Sequence, residues 1–581
     1  MAGFLTYSNA LHGPFMVDDH SFFDERMKNI KFLKYQFMPD RDHALGIGGG
    51  HPEVYYRPLA LAIPMLCYLA FGEHTFYFHV FNLILFCLTS FFIYVFVATI
   101  FKDRWLGFLT GLFFLVHPIN GIVVNFITAS VFPVQVIFMF ASLSSVIASE
   151  RSERSNLFKL LSIFFFALAL MCHETSMALP IYAFCLLFLV QGYRWREALI
   201  KCLPMLIFLF IYFLWRLKYA SLNVSIFQQI SHFHINFAQY VATFTKIVCW
   251  YLAKLFCMGG IVMIWSAPVV TAGVAWWLLI ALLLFVAYLA AVIYYHREKW
   301  ALLGLIWFAL GFLPLTLACL FQPTQGFIME PHWLIFPSIG IFIFCAGIFQ
   351  KINPAFVRIM LIGILLTGWS LTCRAYNYIW SDEERYCQFW TEQSPDFKGA
   401  KFFLARTYLA KGELEKAKYY YQACISNMYV DHLFYANLGL IDYLQGHWQA
   451  AKENYYKALS IEPRLQVVLI NLGVMAMHEG NLPQAKQYFA RAIDANRFSV
   501  APRMNMAHLL EMQGDLQGAT AMYRSILDII PHDEKALISL LKIYYEHHDR
   551  LQVLALTTEL MEHNPTPQTR RNVGIILKTL N

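Results

Sequence analysis

Apolar runs of about twenty residues follow one another through residues 76–373, and they constrain the fold more than any other feature of the sequence. A run of this length crosses the bilayer as a helix, because a helix satisfies its own backbone hydrogen bonds in lipid. The whole chain is 59% hydrophobic and only 14% charged, whereas soluble domains have about 25% charged residues. The sequence therefore predicts a polytopic helical membrane protein. The candidate spans are 76–101, 105–126, 128–148, 156–172, 175–191, 197–217, 240–258, 270–294, 299–320, 332–350 and 355–373.

Basic residues in the loops orient these spans. Lysine and arginine concentrate in cytosolic loops, so we attribute the net charge of +7 to topology and expect no nucleic-acid partner. The basic loops expected in the cytosol are 102–104, 151–159, 194–201, 296–299 and 351–358. Counting spans places residues 1–56 and the C-terminal domain on the opposite, outer face. The loops expected on that outer face are 117–128, 173–175, 218–238 and 321–331.

Three stretches do not fit this count. Two spans lie between residues 218 and 296 where the charge rule needs an odd number, so either 240–268 forms a re-entrant hairpin or one span is missed. The apolar run 58–72 is short for a span, and we expect it in the interface or re-entering the membrane. A span upstream of Met1 would normally deliver residues 1–56 to the outer face. We therefore expect that the chain start is truncated, and not that the first segment crosses the membrane without help.

A period of 34 residues marks the last third of the chain. Glycines recur at this spacing, and so do alanines five residues later, which is the signature of tetratricopeptide (TPR) helical hairpins. The fifth repeat has His548 in place of the glycine, as expected of a terminal cap. The expected organisation is a first outer loop with a juxtamembrane segment (1–75), a membrane domain (76–373), a linker (374–398), five TPRs (399–568) and a C-terminal tail (569–581). The glycines are Gly412, Gly446, Gly480 and Gly514, and the alanines are Ala417, Ala451, Ala485 and Ala519.

Polar groups cluster in four stretches that the topology places on the outer face. Ionisable residues in or beside the membrane are costly, so each is a functional hypothesis. Adjacent carboxylates can hold a metal or divide into a base and a supporting acid, although a solvated turn is the simpler explanation for Asp18 and Asp19. The His-Pro pair at His117 is commonly structural, and Glu174 can cap a helix. The stretches are Phe15 to His20, His117 to Asn120, Cys172 to Thr175, and Met329 to His332.

Arg57 precedes the short apolar run. Its guanidinium can bind a phosphate in bidentate fashion or extend to lipid headgroups.

The order of these stretches resembles that of the transmembrane-and-TPR-containing protein O-mannosyltransferases and their bacterial relatives, within the GT-C class of glycosyltransferases. The ordered set covers nearly the whole chain, and no single motif is specific by itself. The sequence departs from the family where His173 replaces a lysine, where Pro331-His332 replaces Arg-Tyr, and where Thr128-Ala129-Ser130 replaces Arg-Ala-Asp. The matching stretches are Tyr7 to Gly13 with Phe15 to Asp19, Tyr56 to Leu59, Phe78 to Asn82, Val116 to Asn120, His173 to Thr175 with Pro180, and Glu330 to His332 with Pro337-Ser338.

The resemblance implies an all-α fold, in which a polytopic helical membrane domain of GT-C type is followed by a TPR α-solenoid. It implies an inverting transfer of a mannose-like sugar from a polyprenyl- or dolichyl-phosphate donor to a protein hydroxyl on the extracytoplasmic face. That face is the periplasm or exterior in a bacterium and the ER lumen in a eukaryote. The implied catalytic groups are Asp18, Asp19 and Glu174, and the two aspartates would hold a divalent metal if one takes part. The implied donor-phosphate or substrate-binding groups are Arg57, His117, His173, Glu330 and His332.

Two other functions remain open from the sequence. A non-catalytic membrane scaffold would use the TPR array to assemble partner proteins, and the loss of basic residues favours it. A lipid-linked glycan ligase would keep its catalytic groups in a large late outer loop. In each case the TPR array holds an acceptor polypeptide or a partner protein.

Overall fold

The structure is a computed structural model that describes residues 1–17, 19, 28–37, 57–150, 155–219, 236–319, 327–425, 431–562 and 566–580. The chain divides into two compact units, and the division falls inside the helix Lys398–Ala410. The first unit comprises Met1–Phe22 and Tyr35–Leu404, and the second comprises Phe23–Lys34 and Ala405–Asn581. The sequence placed the main boundary earlier, at residue 374.

The first unit is built from long apolar helices. Among the described residues, seven helices are long and apolar enough to cross a membrane. Large hydrophobic side chains remain exposed along them, as expected for surfaces that face lipid. The candidate spans are Thr75–Phe101, Ile127–Ser149, Ser155–Cys172, Trp195–Trp215, Val274–Tyr294, Pro331–Gln350 and Ala355–Trp380.

A bent pair of helices supplies a further candidate. The helices Arg104–Val116 and Pro118–Asn125 meet at an angle of 59°. The break lies directly before Pro118, because proline lacks the N–H that would continue the helix. Three shorter apolar helices in this unit are Pro58–Phe71, Glu174–Val190 and Lys299–Pro314.

The predicted span 240–258 stays a prediction, and so do the re-entrant hairpin and the missed span that the sequence left open for this region. The helix that contains it, Phe237–Phe256, carries Lys246 and Lys254 and is not among the described helices apolar enough to cross a membrane. The next helix, Val274–Tyr294, does qualify. By length and composition alone, one described helix between residues 218 and 296 therefore qualifies as a span.

The basic loops meet at one end of the first unit, which we call the basic end. Ion pairs and hydrogen bonds join the loops that follow helices as far apart as Thr75–Phe101 and Pro331–Gln350. This shared end is what the loop charges led us to expect. The contacts are Lys351 to Glu298, Gln350 to Asp103, Lys299 to the Val190 carbonyl, and Lys201 to Glu150.

The second unit is mainly an α-solenoid of TPR hairpins. Helices pair as antiparallel hairpins, and the segment expected to be a tail forms a further helix, Pro567–Leu580. The expected all-α fold class is confirmed, since the described strands are two segments of three residues each in the first unit. The hairpins pair Lys398–Ala410 with Leu414–Cys424, His432–Leu444 with Trp448–Ile461, Gln466–His478 with Leu482–Ala495, Ala501–Met512 with Leu516–Ile529, and Glu534–Glu546 with Arg550–Glu562.

The hairpin turns explain the glycine period. The four repeating glycines have φ between 75° and 79°, in the left-handed region that glycine adopts without strain. His548 has φ 58° at the fifth equivalent position, so the terminal repeat keeps the turn without the glycine. The repeating alanines are fully buried together with Tyr421, Tyr455, Phe489 and Tyr523, which fill the space between helices.

Candidate functional site

Polar stretches that lie far apart in sequence meet around the turn Ile127–Ser130 and the start of the helix that follows it. Asn82 fixes this turn from a neighbouring helix, because its amide donates to the carbonyls of Val123, Phe126 and Ile127 at 3.2, 3.3 and 3.1 Å. The two N–H groups of this amide are shared among three backbone carbonyls, and an amide satisfied in this way can remain buried in an apolar helix. We call this region the polar end of the first unit.

Asp19 is held against this turn by backbone donors. Its side chain is completely buried, with one oxygen accepting the N–H of Met16 and the other the N–H of Thr128, both at 3.1 Å. Val17, with φ 51°, donates its N–H to Glu383 at 3.0 Å. The acidic loop is therefore fixed on both sides of position 18.

Asp18 and His20 lie outside the described residues. The assignment of Asp18 as the base stays a prediction, and so does a metal at the aspartate pair. Within the described part of the chain, no group of three or more His, Cys, Asp or Glu side chains is arranged to hold a metal ion.

Arg57 and Glu174 form a bidentate ion pair at this end. Nε and Nη2 of the guanidinium donate to the two carboxylate oxygens at 2.6 and 2.8 Å. The side chains are 19% and 25% exposed, so water screens the pair only in part. The residues that follow Arg57 pack against the same helices, since Ala60 joins Val131 and Cys172 in one buried cluster.

A second acid–base pair lies on the other side of Phe132. His332 Nε2 is 2.7 Å from Glu330 Oε2. The Phe132 ring lies 4.0 Å from the ring of His332 and 5.4 Å from the ring of His173, measured between centroids. The Phe132 side chain therefore lies between His173 and the Glu330–His332 pair.

Gln135 organises the His173 turn. Its amide donates to the hydroxyls of Thr175 and Ser176, both at 2.8 Å, and lies 3.4 Å from the His173 carbonyl. The His173 ring accepts the N–H of Thr175 at 3.3 Å. A small cavity of about 30 Å³ lies beside this network, with Gln135, Thr175 and His332 among the residues that line it.

His117 stands apart from these groups. It is 1% exposed, with Nε2 at 2.9 Å from the Leu255 carbonyl and Nδ1 accepting the N–H of Ile119. Its ring packs on Trp369, 4.7 Å away between centroids. These contacts are those of a structural residue at a helix break, the simpler explanation for a His-Pro pair.

Two short strands and a helix cover this end. Strand β1 (Trp265–Ala267) pairs antiparallel with strand β2 (Phe327–Met329), directly before Glu330. The hydroxyl of Tyr251 donates to the Glu330 carbonyl at 3.1 Å. The helix that was predicted to be a span therefore supports the loop that carries Glu330 and His332.

The sequence reasoning missed Phe132 and Gln135. Gln135 was detectable, because a glutamine inside an apolar run signals a buried polar contact. Phe132 had no such signal, since one phenylalanine among 53 is indistinguishable until the neighbouring histidines are placed.

The fold and the site define a polytopic helical membrane protein with a buried polar end and a TPR solenoid. The Tetratricopeptide repeat family matches residues 399–427. The chain is 30% identical over 199 residues to human Protein O-mannosyl-transferase TMTC1 and 29% identical over 199 residues to the mouse protein. These stretches cover 32% of this chain, and only 22% and 21% of the relatives.

The match thus spans about a fifth of the length of these curated relatives. The expected resemblance to the TPR-containing O-mannosyltransferase-like family is confirmed at this level of weak similarity. Among solved structures, pilF of Pseudomonas aeruginosa is similar with a TM-score of 0.28 and 19% identity, over 38% of this chain and 96% of that chain.

Proposed function

We propose that this chain is a membrane glycosyltransferase of GT-C type. It transfers a mannose-like sugar from a polyprenyl-phosphate-linked donor to a protein hydroxyl on the extracytoplasmic face, with inversion. The observation that carries the proposal is the convergence of Asp19, Glu174 and His332 on one small region at the end opposite the basic loops. The weak similarity to an O-mannosyl-transferase supports the same function.

The acidic loop supplies the base. Asp18 takes the proton of the acceptor hydroxyl as its oxygen attacks the anomeric carbon of the sugar. The bond from that carbon to the phosphate oxygen breaks, and the lipid phosphate leaves from the opposite side. Asp19 positions the loop, because both of its oxygens accept backbone N–H groups.

Arg57 and His332 face the donor phosphate. A guanidinium binds a phosphate through the same two-pronged geometry that it uses for a carboxylate. In the structure that geometry is taken by Glu174, so the donor phosphate competes with Glu174 for Arg57. Pro331 stands where the family has an arginine, and the neighbouring His332, paired with Glu330, is the group that we propose to contact the phosphate.

The test uses purified full chain in lipid nanodiscs with radiolabelled polyprenyl-phosphate mannose and serine- and threonine-containing acceptor peptides. Asp18→Asn nearly preserves volume and removes the base, so we expect transfer to fall by about 100-fold or more. Asp103→Asn is the matched control at the basic end. Asp103 caps a helix by accepting the Leu106 N–H, and asparagine caps equally well. Transfer by Asp18→Asn at the rate of the control contradicts the assignment.

A membrane scaffold is the second candidate. The observation that favours it is that the charged groups of the polar end are occupied by protein partners, as Arg57 is by Glu174. A stably inserted chain that transfers no sugar from lipid-linked donors, but retains outer-face proteins through residues 399–568, would support the scaffold.

A further inference from the structure

A segment of the first loop packs within the TPR unit. Residues 23–34 belong to the second compact unit although about 370 residues of sequence separate them from the repeats. The described part of this segment begins at Lys28. Asn29 and Phe32 are 4% and 6% exposed, whereas Ile30 is 54% exposed. Two side chains are therefore anchored, and the residues between them face outward.

The first anchor is a hydrogen bond to a helix end. The Asn29 amide donates to the carbonyl of Ile529 at 3.0 Å. Ile529 ends the second helix of the fourth repeat, and the last carbonyls of a helix have no partner within it. The amide of Asn29 supplies such a partner from outside the repeats.

The second anchor is an aromatic contact one repeat away. The rings of Phe32 and Phe498 lie 5.1 Å apart at 78°, an edge-to-face arrangement that favours specific packing. Phe498 lies in the connection after the third repeat, and Ile529 lies just before the connection after the fourth. The segment thus contacts two successive inter-repeat connections along one edge of the array.

The segment is shaped as a compact turn. Asn29 accepts the N–H of Lys31 through its side chain and the N–H of Phe32 through its carbonyl, both at 3.0 Å. An asparagine turn of this kind forms locally. It presents the amide and the ring three residues apart, which is the spacing that reaches both anchors.

We propose that this edge is a peptide-binding site, separate from any catalytic function, and that residues 28–34 occupy it as an intramolecular ligand. The site takes a turn with an asparagine followed three residues later by an aromatic side chain. A partner protein that presents this turn competes with the segment.

The test is hydrogen exchange by mass spectrometry on the full chain in detergent. Exchange of the amides at Ser499 and Asp533 requires local opening of the chain, and that opening normally also breaks the two anchors. The double variant Asn29→Ala with Phe32→Ala removes both anchors, so protection of these amides should fall by about tenfold. Asn29→Asp should act in the same direction, since a carboxylate cannot donate to a carbonyl. Ile30→Ala is the matched control and should leave protection unchanged.

A synthetic peptide with the sequence of residues 28–34 completes the test. Added in millimolar excess, it should restore protection in the double variant. Protection unchanged in both anchor variants shows that the segment is not bound there. Protection that is lost and not restored by the peptide shows that the contact is intramolecular packing only, and this overturns the binding site.

Discussion

Substituting Arg57, Glu174 or both measures how much the ion pair between their side chains contributes to stability. The pair makes two charge-assisted hydrogen bonds at 2.6 and 2.8 Å, with both side chains at least three-quarters buried. Hydrogen bonds to charged groups contribute about 1.5–3 kcal/mol, and partial exposure reduces that figure. We expect Arg57→Gln or Glu174→Gln alone to lower the free energy of unfolding by about 2–3 kcal/mol, because each leaves a half-buried charge unpaired.

The double variant should cost about 2 kcal/mol less than the sum of the two single variants. The assay is unfolding in mixed micelles with increasing fractions of SDS. The matched control is Lys351 with Glu298, which has the same separation of 2.6 Å but side chains 53% and 40% exposed. Its coupling should be about 0–1 kcal/mol. Additive effects at Arg57 and Glu174 would refute the reasoning.

Three further predictions concern the acidic loop, the helix packing and the repeats. Asp19→Asn turns one accepting oxygen into a donor that faces a backbone N–H, so stability should fall by about 1–3 kcal/mol, and unchanged unfolding would mean that these hydrogen bonds are dispensable. A Cβ at Gly304 would lie 2.6 Å from the Gly340 carbonyl oxygen. Gly304→Ala should therefore destabilise by about 1–3 kcal/mol, while Gly363→Ala, where a Cβ meets nothing within 4 Å, should be neutral, and equal effects would contradict the packing. Deleting 399–581 should leave transfer to a simple acceptor largely intact if, as we propose, the array selects the acceptor and performs no chemistry, and complete loss in a well-folded remainder would oppose that role.

Features with a long period were readable from the sequence. Apolar run length predicts most of the long helices that qualify as spans, and the 34-residue period predicts the hairpin turns, including the one at His548. The loop charges indicated which loops share an end, because charge is excluded from the bilayer wherever it occurs. Each of these signals is summed over many residues, so single exceptions do not obscure it.

Features that depend on one contact were not readable. Run length did not distinguish the helix Phe237–Phe256, which carries Lys246 and Lys254, from the helices that qualify as spans by composition. Asp19 accepts a hydrogen bond from the backbone N–H of Thr128. A backbone contact does not depend on the side chain at position 128, so the sequence does not indicate it. The docking of Asn29 depends on a residue 500 positions away in sequence, and that of Phe32 on a residue 466 positions away, which no local pattern encodes.

We propose that the chain is oriented with its basic loops in the cytosol and its C-terminal TPR array outside it. A reporter active only in the cytosol, fused after Asn581, tests it most directly, with the same reporter inserted in the loop 351–354 as the matched control. We expect a silent reporter after Asn581 and an active one in the loop. An active reporter after Asn581 would contradict the topology and, with it, an outer-face transfer reaction served by the TPR array.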